Sequence, residues 1–261
     1  MAYAEVNGVR LHIRQQGGGP VALFVHGFPL DSSMWIEQID ALSDLRRCIS
    51  LDLRGFGKSS PVTGAPLTMD QHADDLAGVL DLVSEEEADV IGLSMGGYVA
   101  LAFAERHPDR LRSLALIDTK SGADSEEAKA GRDAMAERLV EDGRVAVAEA
   151  MQIGLLGPDA SVAAQARVRS MVEGCRYETI VGALSGMRDR PDRTAVLSVV
   201  TVPAAVIVGE QDTVTPPAEA QVMANELPDA VLTVIAGAGH MTPIEEPAAT
   251  SAALRNHIER V

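Results

Sequence analysis

Apolar residues along this chain gather in short runs rich in β-branched residues, separated by stretches of helical periodicity. The runs are VRLHI (9–13), VALFV (21–25), RCISLDL (47–53), ADVIGL (88–93), SLALI (113–117), AAVIV (204–208) and VLTVI (231–235). Most lack the in-out alternation of a strand with one wet face, which predicts a parallel sheet covered on both sides. Helical spacing predicts helices at about 68–83, 96–107, 217–226 and 247–260. Strand and helix therefore alternate, the signature of a doubly wound α/β fold. Asn7-Gly8 supplies the positive φ angles of a two-residue turn. The first two strands are accordingly expected to form a hairpin at an antiparallel edge.

Residues 120–195 break the rhythm. They contain helical segments such as SEEAKAGRDAMAERLVEDG and SVAAQARVRSMVEG and no convincing strand. Ser125 followed by Glu126 and Glu127 predicts a helix start, and Gly143 a stop. An all-helical insertion between strands predicts a cap over the C-terminal edge of the sheet, where open α/β folds bind ligands. The alternative is a set of ordinary crossover helices. The expected organisation is a core of 1–119 and 196–261 with a helical cap at 120–195.

Composition adds limits. The 261 residues are 46% apolar and 23% charged, with mean hydropathy +0.07, as in an ordinary folded domain. Lys plus Arg number 22 and Asp plus Glu 38, a formal charge of 22 − 38 = −16. Such a surface repels nucleic acid and anionic membrane, and an anionic substrate would need local compensation. The start, MAYAEVNGVRLHIRQQ, has no apolar core of a signal peptide, and no apolar run reaches the roughly 20 residues of a membrane span. A cytoplasmic protein is expected, with no membrane or nucleic-acid partner. Cys48 and Cys175 lie far apart without metal-ligand spacing, so reduced thiols are expected.

The chemistry concentrates around Ser94 in VIGLSMGGYVALAFAER. A Gly-x-Ser-x-Gly run is weak alone, but here it sits between a predicted strand and a predicted helix, as a nucleophile elbow requires. A serine hydroxyl needs a base and a group to orient that base. Of six histidines, only His240, in IAGAGHM, lies on a glycine-rich loop after the last strand. His12, His72, His107 and His257 fall within predicted elements and are read as structural or solvated, and His26 in FVHGFP as a loop holder. Three acids end strands: Asp212 is the first choice, Glu210 the second, and Asp118 serves if the loops are arranged differently. The backbone amides of Phe28 and Met95 are the expected oxyanion donors. Leu30, Val214 and Met241 flank these motifs and are candidates for an acyl pocket. Asp52 and Arg54 in LDLRGFGKSS lack phosphate-loop spacing and are read as a structural turn.

HGFP, DLRGFGKS, GLSMGGYVALAF, VGEQDTVTPP and GAGHM stand in an order and spacing that resemble the α/β-hydrolase superfamily over most of 9–119 and 200–261. The resemblance implies an eight-stranded, mostly parallel sheet with a helical cap, nucleophile Ser94, acid Asp212, base His240, and oxyanion amides from Phe28 and Met95. Within the superfamily the chain is similar to small bacterial carboxylesterases and 3-oxoadipate enol-lactonase-like proteins. Haloalkane dehalogenases and epoxide hydrolases carry aspartate where Ser94 stands, which argues against both. The implied reaction is cofactor-free and metal-free hydrolysis of small, mainly hydrophobic carboxylic esters. Alternatives are lactone hydrolysis, a perhydrolase side activity like that of cofactor-free haloperoxidases, and a hydrolase-fold ligand-binding protein. The lack of an Arg/Lys cluster beside the motifs favours a neutral ester.

Overall fold

The eight strands form one sheet in the order β1-β2-β4-β3-β5-β6-β7-β8. They are β1 (Tyr3–Val6), β2 (Val9–Gln16), β3 (Val21–Val25), β4 (Arg47–Leu51), β5 (Ala88–Leu93), β6 (Leu111–Ile117), β7 (Ala204–Gly209) and β8 (Ala230–Ile235). This computed structural model describes residues 2–62, 64 and 66–261. The β1–β2 and β2–β4 pairs are antiparallel, and every other pair is parallel. Asn7 (φ 46°) and Gly8 (φ 76°) make the expected edge hairpin, both in the left-handed region that such a turn demands.

Every residue of β3, β5 and β7 is buried, which explains why these runs do not alternate; the one charged residue among them, Asp89 in β5, is paired with Arg46 at 2.7 Å. Helices cover both faces: α1 (Ile36–Leu42), α2 (Met69–Leu82), α3 (Met95–Arg106), α4 (Glu126–Leu155), α5 (Val162–Gly174), α6 (Tyr177–Arg188), α7 (Thr194–Leu197), α8 (Pro217–Glu226), α9 (Thr242–Glu245) and α10 (Pro247–Ile258). Thr68 starts α2 with a reciprocal cap: its side chain accepts from the Gln71 amide (3.2 Å) while Gln71 accepts from the Thr68 amide (3.3 Å).

Helices α4 to α7 fill the connection from β6 to β7. Gly143, with φ 77° and ψ 172°, ends the first helical stretch of α4 as its sequence suggested, and a second stretch follows across the kink. Polar bonds fasten this insertion to the sheet domain. Arg176 donates to the carbonyls of Gly55 (2.6 Å), Gly57 (3.1 Å) and Ser59 (3.2 Å), and Arg167 pairs with Glu37 at 2.7 Å. No helix among the described residues is long and apolar enough to cross a membrane.

Candidate active site

The turn from β5 into α3 brings Ser94 out of the sheet. Ser94 takes φ 53° and ψ −113°, a backbone region costly for a residue with a side chain and characteristic of functional sites. Two glycines make the turn possible by close approach. A Cβ on Gly92 would collide with the Gly96 carbonyl oxygen, and one on Gly96 with the Val25 carbonyl oxygen at the end of β3. The Thr119 hydroxyl bonds the Ser94 carbonyl at 2.8 Å, and the Ser94 amide donates to Ile117 O at 2.9 Å. The serine is thus held from both sides.

The Ser94 hydroxyl faces His240 Nε2 at 2.9 Å, and His240 Nδ1 lies 2.8 Å from Asp212 Oδ2. His240 and Asp212 are buried; Ser94 is partly exposed at the floor of a cavity. Asp212 is itself fixed: Oδ1 accepts from the amides of Val214 (2.8 Å) and Thr215 (2.9 Å), and Oδ2 from the Thr215 hydroxyl (2.8 Å). Burial pulls the Asp212 carboxyl upward, yet the bonds from His240 and Thr215 outweigh it and hold it below the usual carboxylate range. Burial pulls the His240 imidazole downward, and the Asp212 carboxylate reverses this, raising it above an ordinary histidine. A raised imidazole beside a depressed carboxylate is the electrostatics of a base that can hold a proton taken from Ser94.

The other acids take other positions. Asp118 (φ 44°) accepts from the Gly209 amide (2.9 Å), the Thr242 amide (3.1 Å) and the Thr242 hydroxyl (2.7 Å), tying the His240 loop to β7. Burial pushes its carboxyl up to about 7. Glu210 caps the Gly237 amide at 3.2 Å on the exposed side. His26 accepts the Leu53 amide at Nε2 (3.0 Å) and bonds its neighbour's carbonyl through Nδ1 (2.9 Å), holding the loop that carries Phe28. Asp52 accepts the amides of Ser32 and Lys58, both at 2.8 Å, and Arg54 pairs with Asp75 at 2.6 Å, a structural turn as its sequence suggested.

The amides of Phe28 and Met95 bond no acceptor among the described residues, although both residues are buried. Unpaired buried N–H groups are rare and costly. Phe28 and Val214 line the cavity over Ser94. Leu30 and Met241 do not, which corrects the expectation that they form the acyl pocket. Leu30 bonds back to Gly27 O at 2.9 Å and turns into the core, where it is 1% exposed. The Met241 amide is caught by Glu245 at 3.0 Å as α9 begins, and its side chain is equally buried. The Met95 side chain is also outside the cavity.

Most of the cavity wall comes instead from the insertion. The space measures about 570 Å³, and α4 and α6 supply Met135, Met151, Leu155, Leu184 and Met187 to it. Three further groups carry no motif. Thr215 bonds Asp212 and lies 3.3 Å from His240 Nδ1. Glu245 accepts the amides on both sides of His240, Gly239 and Met241, each at 3.0 Å, and the Gly157 amide of the insertion at 2.7 Å. The third is Tyr98, one turn after Ser94 on α3 and on the cavity wall. Only the i, i+4 spacing of Ser94 and Tyr98 was available to signal it.

Comparison with known proteins follows the same lines. The family described as alpha/beta hydrolase fold matches residues 20–150. A thermophilic esterase from Thermogutta terrifontis, solved with malate bound, is 38% identical with a TM-score of 0.93, covering 100% of this chain and 97% of that one. The enol-lactonase from Burkholderia xenovorans LB400 is 29% identical with a TM-score of 0.91, covering 98% and 99%. The 2-(acetamidomethylene)succinate hydrolase of Mesorhizobium japonicum is 27% identical over 269 residues, 98% of this chain and 94% of the relative.

Proposed function

The chain belongs to the alpha/beta hydrolase family, and from that premise we propose that it hydrolyses carboxylic esters of small, mainly hydrophobic substrates through a Ser94 acyl-enzyme. The observation that carries this reading is the unbroken relay from Ser94 Oγ to His240 (2.9 Å) to Asp212 (2.8 Å), opening into an apolar cavity. His240 Nε2 takes the Ser94 proton as Oγ bonds to the ester carbonyl carbon. The carbonyl oxygen, now negative, accepts from the Phe28 and Met95 amides, whose N–H groups bond no acceptor among the described residues. Asp212 keeps the other imidazole proton on Nδ1 and stabilises the imidazolium. His240 then protonates the leaving alkoxide, and the alcohol departs. Water, deprotonated by His240, attacks the acyl carbon and releases the acid with Ser94 restored.

A cyclic ester would use the same steps, and similarity to an enol-lactonase over nearly the whole chain favours lactones as a second substrate class. The test is steady-state turnover on matched open esters and lactones with the Ser94→Ala protein as blank. Multiple turnovers that vanish in the blank support the reading. A single stoichiometric burst, or turnover equal to the blank, refutes it.

A further inference from the structure

The charged lining of the cavity is one-sided. Among the described residues no Asp or Glu lines it, and besides His240 their titratable or charged side chains at the wall are Tyr98, Arg132 and Arg138. In a chain with 38 acidic and 22 basic residues this is a local inversion of sign. Arg132 and Arg138 both reach the cavity from α4, with the lining residue Met135 midway between them in sequence, and Arg138 Nε also pairs with Asp142 at 3.4 Å on its solvent side.

Behind Arg132 lies a cluster of cations around one buried carboxylate. The buried Asp124 carboxylate receives Arg132 Nε, Arg190 Nη1 at 2.8 Å and Lys120 Nζ at 3.5 Å. Among the described residues no second carboxylate lies within salt-bridge distance of the three cations, and Asp192 adds a longer-range attraction to Arg190. Arg190 is withdrawn from the cavity, spent on the carbonyls of Met187 (2.8 Å) and Gly122 (2.9 Å) and laid over the Tyr98 ring, 4.0 Å from its centre. Arg132 reaches the cavity instead. Its Nη1 meets a weak acceptor, Met187 Sδ, at 3.5 Å, and the guanidinium also hydrogen-bonds the Tyr98 side chain. Tyr98 stands beside it, four residues and so about 6 Å along the helix axis from Ser94.

We propose that Arg132, with Arg138 nearer solvent, is an anion subsite, and that the substrate is an ester or lactone whose apolar body ends in a carboxylate remote from the scissile bond. The proposal rests on the hydrolase reading above. It supplies the compensation that an acidic protein needs to admit an anionic ligand. An arginine–carboxylate pair in a partly desolvated wall is among the stronger polar contacts available. It also places the two ends of the substrate: the scissile carbonyl at Ser94, the carboxylate at α4, and the apolar chain along Met135, Leu184 and Met187.

The experiment compares kcat/KM for the p-nitrophenyl half-ester of suberic acid with that for p-nitrophenyl octanoate, equal in length and differing in terminal charge. The expected result is preference for the half-ester by about 10-fold or more, the order of one charge-assisted hydrogen bond. That preference falls as salt screens the pair, collapses in Arg132→Gln and is reduced in Arg138→Gln. Equal turnover of the two esters, or a preference that survives both substitutions, overturns the subsite. Should Arg132→Gln fail to melt cooperatively, the wild-type salt dependence and Arg138→Gln still decide: a preference unmoved by either overturns it. If neither ester is turned over beyond the Ser94→Ala blank, the hydrolase reading has failed. Calorimetry with suberate alone then tests the subsite, which predicts binding weakened about 10-fold in Arg138→Gln and is overturned by its absence in the wild type.

Discussion

Replacing Asp212 by Asn changes one atom in the relay, and the surrounding bonds dictate where that atom goes. Two backbone amides, Val214 at 2.8 Å and Thr215 at 2.9 Å, converge on Oδ1. Backbone donors cannot turn away, so the Asn oxygen must occupy this position and the NH₂ group must take the place of Oδ2. There it faces His240 Nδ1, 2.8 Å away in the native protein, and the Thr215 hydroxyl. The hydroxyl can rotate to accept. The imidazole has no such freedom: Nδ1 must accept, so its proton moves to Nε2, the atom facing Ser94 Oγ at 2.9 Å. A protonated Nε2 cannot take the serine proton. The imidazolium also loses its counter-charge. The expected loss in kcat is about 10⁴-fold, with little change in melting temperature because every backbone bond to the side chain keeps an acceptor. The assay is steady-state release of p-nitrophenol, paired with thermal melting. A variant retaining a tenth or more of wild-type kcat refutes the argument. So does an Asp118→Asn variant that loses more activity than Asp212→Asn, since it would move the acid to β6.

Other outcomes follow from the same geometry. Because the Asp212 carboxylate raises His240, and only the neutral imidazole accepts the Ser94 proton, kcat/KM should rise with pH through an ascending limb. Its midpoint should lie above about 6.5, the ordinary histidine value, and a limb centred below that value contradicts the charge arrangement. Gly96→Ala places a methyl group against the carbonyls of Val25 and His26, both backbone. Relief must move either the Ser94 turn or the loop carrying the Phe28 amide, so kcat/KM should fall about 100-fold; wild-type kinetics in this variant would show that the close approach is dispensable.

Much of the fold is legible in the sequence because buried parallel strands advertise themselves. The blocks VALFV and AAVIV are apolar throughout and ADVIGL is apolar but for Asp89, which pairs with Arg46 at 2.7 Å, since both faces of the sheet are covered. Less visible was α1, where only seven residues, Ile36–Leu42, follow a short turn capped by Asp31, too brief for helical periodicity to stand out. Gly143 was legible as a stop: its non-helical φ and ψ divide α4 into two stretches.

At the site the polar relay was legible, since Ser94, Asp212 and His240 each sit in a loop punctuated by glycine or proline at a strand end. The cavity was not. Leu30 and Met241 were selected by proximity in sequence to those loops, but loop backbones turn side chains either way, and both turn into the core. Most of the wall is made by α4 and α6, and Arg132, Met135 and Arg138 line it from α4 with no loop motif beside them. A cation cluster sought only near the motifs was therefore missed, although the three-residue spacing of these positions was present.

The central claim is that the substrate acyl group passes through Ser94. It is tested most directly by acid-quenching the reaction with p-nitrophenyl octanoate during the first turnover and mapping the adduct by peptide mass spectrometry. An octanoyl group on Ser94, absent in Ser94→Ala together with all but about one part in 10⁶ of the turnover, is the predicted result. An adduct on another residue, or an Ser94→Ala protein that hydrolyses the ester at the wild-type rate, would contradict the account.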